Sequence, residues 1–199
     1  MKKIGIFALI ILCCISLKAQ EKRTVRETFD NNKFRWDEFY EKTGSASIQD
    51  GYFIISNTEK GTCRWSVAEL PIDIDQNFKL TFKVLVPKLT DEFYFGIVFN
   101  YEDENNYSSF LVTEKKFKIL NKVNGVSAQS RASGIILKAG KNKEVVIEIE
   151  KKGTKLIFTV DNMEAIAISK ELKTNTFGFL VEDANTIKID EVIIEQISR

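Results

Sequence analysis

Phe78, Leu80, Phe82, Val84 and Val86 are apolar, and Lys79, Thr81 and Lys83 stand between them. A period of two marks an extended strand with one buried face, because successive side chains point to opposite sides. The period recurs along the chain. Phe93, Phe95, Ile97 and Phe99 share one face, and Val145, Ile147 and Ile149 alternate with Glu144, Glu148 and Glu150. Leu156, Phe158 and Val160 follow, then Phe177, Phe179 and Val181. On this phase Phe95 and Phe158 point inward. Ile187 and Ile189 give way to Val192 and Ile194, and the slip at Asp190-Glu191 predicts a β-bulge. Asp50-Gly51, Asn124-Gly125, Lys152-Gly153 and Asp161-Asn162 separate the runs and suit tight hairpins. Pro71 and Pro87 are expected at strand ends. Only Trp36–Lys42 reads as a helical turn or two. A dozen or more short strands without a linker predict an all-β, two-sheet antiparallel sandwich.

The chain of 199 residues has no His, which excludes a Ser-His-Asp triad, a Cys-His pair and a His-ligated zinc. A formal net charge of +1 argues against a nucleic-acid partner. Lys2 and Lys3 precede an uncharged run from Ile4 to Leu17, and Lys18, Ala19 and Gln20 follow. That pattern predicts a secretory signal peptide over residues 1–20 and a single domain over 21–199. The run is too short for a membrane span, so no transmembrane segment is expected after cleavage. The protein is then exported: periplasmic, extracellular or at the cell surface of a bacterium. A lipoprotein is the alternative, through Cys13 or Cys14, although neither follows a small residue. After cleavage only Cys63 remains, so the domain relies on its core rather than on an internal disulfide. Cys63 itself reads as a buried or edge thiol.

Several motifs fall in a consistent order. Glu27-Thr28-Phe29-Asp30-Asn31 is followed by Trp36, and Ile48 to Ile55 carries Asp50-Gly51 at a hairpin. Phe95-Gly96-Ile97-Val98-Phe99, Asn106-Tyr107 with Phe110, Lys155 to Asn162, and Ile189-Asp190-Glu191-Val192-Ile193-Ile194 complete the series. In this order they resemble the concanavalin A-like lectin/glucanase superfamily, over nearly all of Phe29–Ile194. The resemblance implies a jelly-roll sandwich that binds glycan, cleaves glycan or is purely structural. Glucanases of this superfamily carry E-x-D-x-E or E-x-D-x-x-E on one strand, and this chain lacks it. Glu148-Ile149-Glu150 is the nearest approach, and it reads, like Asp73 and Asp75, as a solvated surface pattern. By the same resemblance Asp190 is the candidate ligand for a structural calcium, although Glu191 replaces the usual aromatic neighbour.

Other patterns carry less. Gly134 to Gly140-Lys141 has the wrong spacing for a phosphate loop, and Gly140 reads as a turn. Glu102 to Asn106 reads as a solvated hairpin connection. Aromatic rings stack on the C–H faces of sugars while polar neighbours hold hydroxyls. Tyr94 and Tyr107 alternate with core residues and are expected on one exposed face, pairing through a hairpin into one platform. Trp65 shares its phase with Val67, which favours the core, yet it remains a candidate binding residue. Arg64 could donate to hydroxyls. The leading reading is a non-catalytic, lectin-like carbohydrate-binding protein. The alternatives are a structural or interaction domain with a cell-envelope protein as partner, and an atypical glycoside-acting enzyme.

Overall fold

The computed structural model describes residues 22–133, 137 and 140–197. The predicted signal peptide, with Cys13 and Cys14, lies outside them. Two antiparallel sheets account for the fold. The larger runs, in spatial order, β13 (Met163–Ser169), β12 (Lys155–Val160), β11 (Gly140–Lys152), β6 (Phe78–Leu89), β15 (Asn185–Ile197), β4 (Tyr52–Asn57), β3 (Gly44–Gln49) and β2 (Phe39–Glu41). An N-terminal strand, β1 (Lys22–Glu27), also pairs with β15. The smaller sheet runs β10 (Val126–Ser133), β9 (Lys116–Val123), β8 (Asn106–Val112), β7 (Phe95–Asp103), β14 (Thr176–Glu182) and β5 (Cys63–Glu69). The predicted all-β sandwich is what forms.

Its core lies where the inner faces meet. Phe82 of the larger sheet meets Phe179 of the smaller edge to face at 5.5 Å. Phe158 packs against Phe99 at 5.3 Å and Phe110 at 4.8 Å. Phe95 and Phe158 are fully buried, as their phase requires. The hairpin pairs behave as read: Asp50-Gly51 and Asn124-Gly125 have positive φ at both positions, the geometry that matches strand twist in a two-residue turn. The bulge also falls as expected: Ile189 pairs with Val84 and Glu191 with Lys83, leaving Asp190 as the extra residue.

Three local expectations are corrected. Trp36–Lys42 holds no helix. Trp36 is drawn into the core between Phe53 and Phe179, at 5.8 and 5.0 Å. The segment spends its backbone bonds on neighbouring strands, with Asp37 N–H donating to the Val67 carbonyl and Phe39–Glu41 pairing with β3. Gly140 opens β11 rather than making a turn, because it pairs with Leu89. Pro87 lies inside β6, where its missing N–H is harmless because β15 pairs no further along β6 than Leu85.

The loop from Thr28 to Trp36 is held from beneath. Glu27 is buried, and its two carboxylate oxygens accept the backbone N–H groups of Phe29 at 3.1 Å and Phe34 at 2.9 Å. Asn32 accepts from Trp36 N–H at 2.7 Å and donates to the Trp36 carbonyl at 2.9 Å. These bonds hold Phe29 and Arg35 in left-handed backbone conformations, each at φ 58°, which non-glycine residues otherwise avoid.

Candidate functional site

The outer face of the smaller sheet carries a second apolar cluster, separate from the sandwich core. Val98, Leu111 and Leu180 are buried there beneath Trp65, Val67, Tyr94, Tyr101 and Tyr107. Register explains the grouping. Leu180 pairs with Trp65 on one side and Gly96 on the other, and Gly96 pairs with Leu111. Gly178 pairs with both Val67 and Val98. The two glycines raise no side chain from the middle of the sheet, so rings from flanking strands can lie over it. A Cβ on Gly178 would sit 2.2 Å from the Ser66 carbonyl oxygen, so that position admits no larger residue without movement.

Trp65 of β5 and Tyr107 of β8 reach across this depression and stack, with centroids 6.1 Å apart. Tyr101 stands beside Tyr107 at 6.3 Å. The sequence phase had pointed Trp65 to the core. Instead the small residues Ser66 and Ala68 face inward and are buried, and Trp65 lies half-buried outside. Tyr101 was not singled out by sequence, because it shares the phase of the core residues Ile97 and Phe99. A bulge at Asn100, with φ 53°, breaks that phase and turns Tyr101 outward. Asn100 is fixed by accepting the Lys173 N–H at 2.5 Å. An Asn between two aromatics was the only hint in the sequence.

Tyr94 faces the same side as expected, but it does not form a platform with Tyr107. Phe95 pairs with Val112 and Phe99 with Ser108, so the two tyrosines stand at opposite ends of the β7–β8 hairpin. Tyr94 instead lies under the Lys118 ammonium, 3.9 Å from its ring centroid. Lys118 is buried and donates to both oxygens of Glu182, at 2.6 and 2.8 Å. Cys63 pairs with Glu182 across the ladder. Burial, and then the Glu182 charge, push its thiol pKa up.

Arg64 is not part of this face. It follows the inward phase, its stem crosses Gly44, and its guanidinium donates to the Cys63 carbonyl at 2.9 Å and to Thr43 Oγ1. It also pairs with Glu41 at 3.8 Å, which ties β5 to the end of β2. Asp190 occupies the bulge of β15. Its neighbour Glu191 is held by Arg26 at 2.6 Å and Lys83 at 2.7 Å. Among the described residues no three His, Cys, Asp or Glu side chains gather to hold a metal. Glu148 and Glu150 alternate with the buried Val145, Ile147 and Ile149, so they lie on the outside of the larger sheet. Lys79 binds Glu148 at 2.7 Å and Lys152 binds Glu150 at 2.8 Å.

A cleft of about 850 Å³ opens beside the aromatic cluster, bounded by β1, the loop over Glu27, the edge of β5 and the end of β7. Tyr101 and Val67 line it and also belong to the cluster. Among the described residues no helix is long and apolar enough to cross a membrane.

The chain matches no protein-family model and no curated protein sequence. Solved structures do share its fold. A Bacillus licheniformis β-glucanase superposes with a TM-score of 0.60 at 10% identity, over 88% of this chain and 98% of the glucanase. A Bacteroides ovatus GH16 protein, from a mixed linkage glucan PUL and in complex with a G4G4G3G product, gives 0.58 at 11% identity, over 85% and 99%. A Bacillus halodurans xylan β-1,4-xylosidase gives 0.57 at 13% identity over 85% of this chain, which spans only 38% of that enzyme. At such identities the likeness speaks to fold and leaves function to the site. With its two antiparallel sheets and these neighbours, the chain has the jelly-roll sandwich fold of the concanavalin A-like lectins and glucanases.

Proposed function

We propose that this is an exported, non-catalytic carbohydrate-binding protein whose ligand stacks on the outer face of the smaller sheet. The observation that carries this reading is the shelf formed by Trp65, Tyr101 and Tyr107 over Val98. Partly buried rings packed on an apolar cluster offer sugars an apolar surface at little entropic cost, since the neighbouring packing already fixes them. The glucanase and GH16 neighbours support a glycan over other ligands. Glycoside hydrolysis uses two carboxyls about 5–5.5 Å or 6.5–9.5 Å apart across the scissile bond. On the aromatic face Glu182 has both oxygens committed to Lys118, which favours binding without cleavage. Export rests on the residue 1–20 pattern, and a structural calcium at Asp190 remains a proposal by resemblance.

A glycan array on the purified protein, followed by calorimetry with the selected glycan, tests the reading. Trp65→Ala and Tyr107→Ala should each weaken binding several-fold, about 1 kcal/mol or more. Tyr94→Ala should have a smaller effect, because that ring lies at the far end of the hairpin. No glycan bound by the folded protein would favour an interaction domain of the cell envelope. Reducing ends released from laminarin or lichenan would favour an enzyme.

A further inference from the structure

The 850 Å³ cleft beside the shelf has a mixed lining, apolar side chains interspersed with cations and acids. Its cations come from β1 and the loop over Glu27: Arg23, Lys33 and Arg35. Its acids are Asp37, Glu69 and Glu102, from the end of that loop and from β5 and β7. Lys173 binds Glu102 at 3.1 Å, and the Lys33 ammonium donates to the Arg26 carbonyl at 3.0 Å. Among the described residues the guanidinium groups of Arg23 and Arg35 have no partner.

The loop bearing two of the cations is held in advance. A buried carboxylate grips it at Phe29 and Phe34, Asn32 clamps Trp36, and Arg35 keeps a left-handed backbone. Backbone strain of this kind persists only where its surroundings over-determine it. Tyr101 stands at the boundary of shelf and cleft, turned there by the Asn100 bulge and held through its carbonyl by Thr174 Oγ1 at 3.1 Å. Tyr101 therefore joins the shelf of Trp65 and Tyr107 to the cleft.

The geometry points to a carboxylate-bearing sugar, a uronic acid, as the residue that the cleft receives. Planar guanidiniums suit a carboxylate, which they can hold through two parallel N–H donors. The acids suit the same ligand, because a uronate also carries hydroxyls that donate to carboxylates. A uniformly basic cleft would suit a polyanion of any kind. A cleft that offers cations and acids in equal number suits a ring with one charge and several hydroxyls. The inference rests on the carbohydrate-binding reading and adds the class of sugar.

Calorimetry would compare a xylan oligomer bearing a single glucuronate, the same oligomer bearing a single sulfate, and neutral laminarin and xylan oligomers of equal length. The wild type should bind the uronate at least ten-fold tighter than any neutral oligomer, with the preference shrinking as salt rises. Arg23→Gln with Arg35→Gln should reduce that preference below two-fold, and Trp65→Ala should weaken every oligomer that binds. Both arginines are exposed, so thermal melting of the double variant is expected to match wild type. Equal affinity for neutral and uronate oligomers, still lowered by Trp65→Ala, would overturn the cleft assignment and keep the carbohydrate reading. Tighter binding of the sulfated oligomer than of the uronate would overturn the carboxylate assignment. No binding of any oligomer would overturn both.

Discussion

Lys118 is the side chain that most constrains the outer face at residue scale. An ammonium taken out of water is costly unless it is paired, and here Glu182 supplies both oxygens while the Tyr94 ring covers another side. Glu182→Gln leaves that charge buried without its counterion. Because Glu182 keeps a quarter of its side chain in solvent, the loss should lie below that of a fully buried pair, about 2 kcal/mol by denaturant melts. The same change bears on Cys63. A raised thiol pKa means little thiolate below the ordinary value of 9.0, so alkylation of wild type should be slow at neutral pH and climb under alkali. Removing the Glu182 charge takes away the second cause of the upward shift. Iodoacetamide should then modify the variant faster at equal pH, under conditions where both proteins are folded. Residues such as Phe95 and Phe158 could be placed from sequence because their neighbours are less apolar. Trp65 could not, because both of its sheet's faces bury apolar groups and bulk alone does not distinguish them.

Elements explain what single residues cannot. The bulge of β15 was legible because it shifts a run of apolar residues on both sides, whereas the bulge of β7 lies near a strand end with little pattern beyond it. That difference hid Tyr101 and one end of the shelf. The β15 bulge also places Glu191 between Lys83 and Arg26, joining β15, β6 and β1. The Lys83 hydrogen bond first, and Arg26 with it, hold the Glu191 carboxyl below its usual 4.5. The folded state thus takes up that proton less readily than the unfolded chain. Its stabilising contribution is present above the unfolded value and lost as pH falls through the lower folded value. Glu191→Gln should cost about 2 kcal/mol at neutral pH. The gap between variant and wild type should narrow as pH falls below the unfolded value of 4.5 and close once the folded carboxyl is itself protonated. A gap that persists undiminished in acid would assign the effect to packing.

At the scale of the molecule, β15 joins parts of the chain far apart in sequence. Its 13 residues pair with β6, β4 and β1. Lys22, at the start of β1, lies opposite Ile197. Sequence order suggested a sandwich but could not show this closure, since strand pairing depends on register between distant segments. The arrangement sets the timing of folding. The first described strand, β1, has its partner in β15, so the larger sheet cannot close until β15 has been synthesised. Pairings of such long sequence separation fold slowly, typically in milliseconds to seconds. Stopped-flow refolding should show a main phase in that range, and a chain lacking residues 185–197 should give no cooperative melt. Until β15 arrives, the larger sheet stays open and the nascent chain can still be threaded.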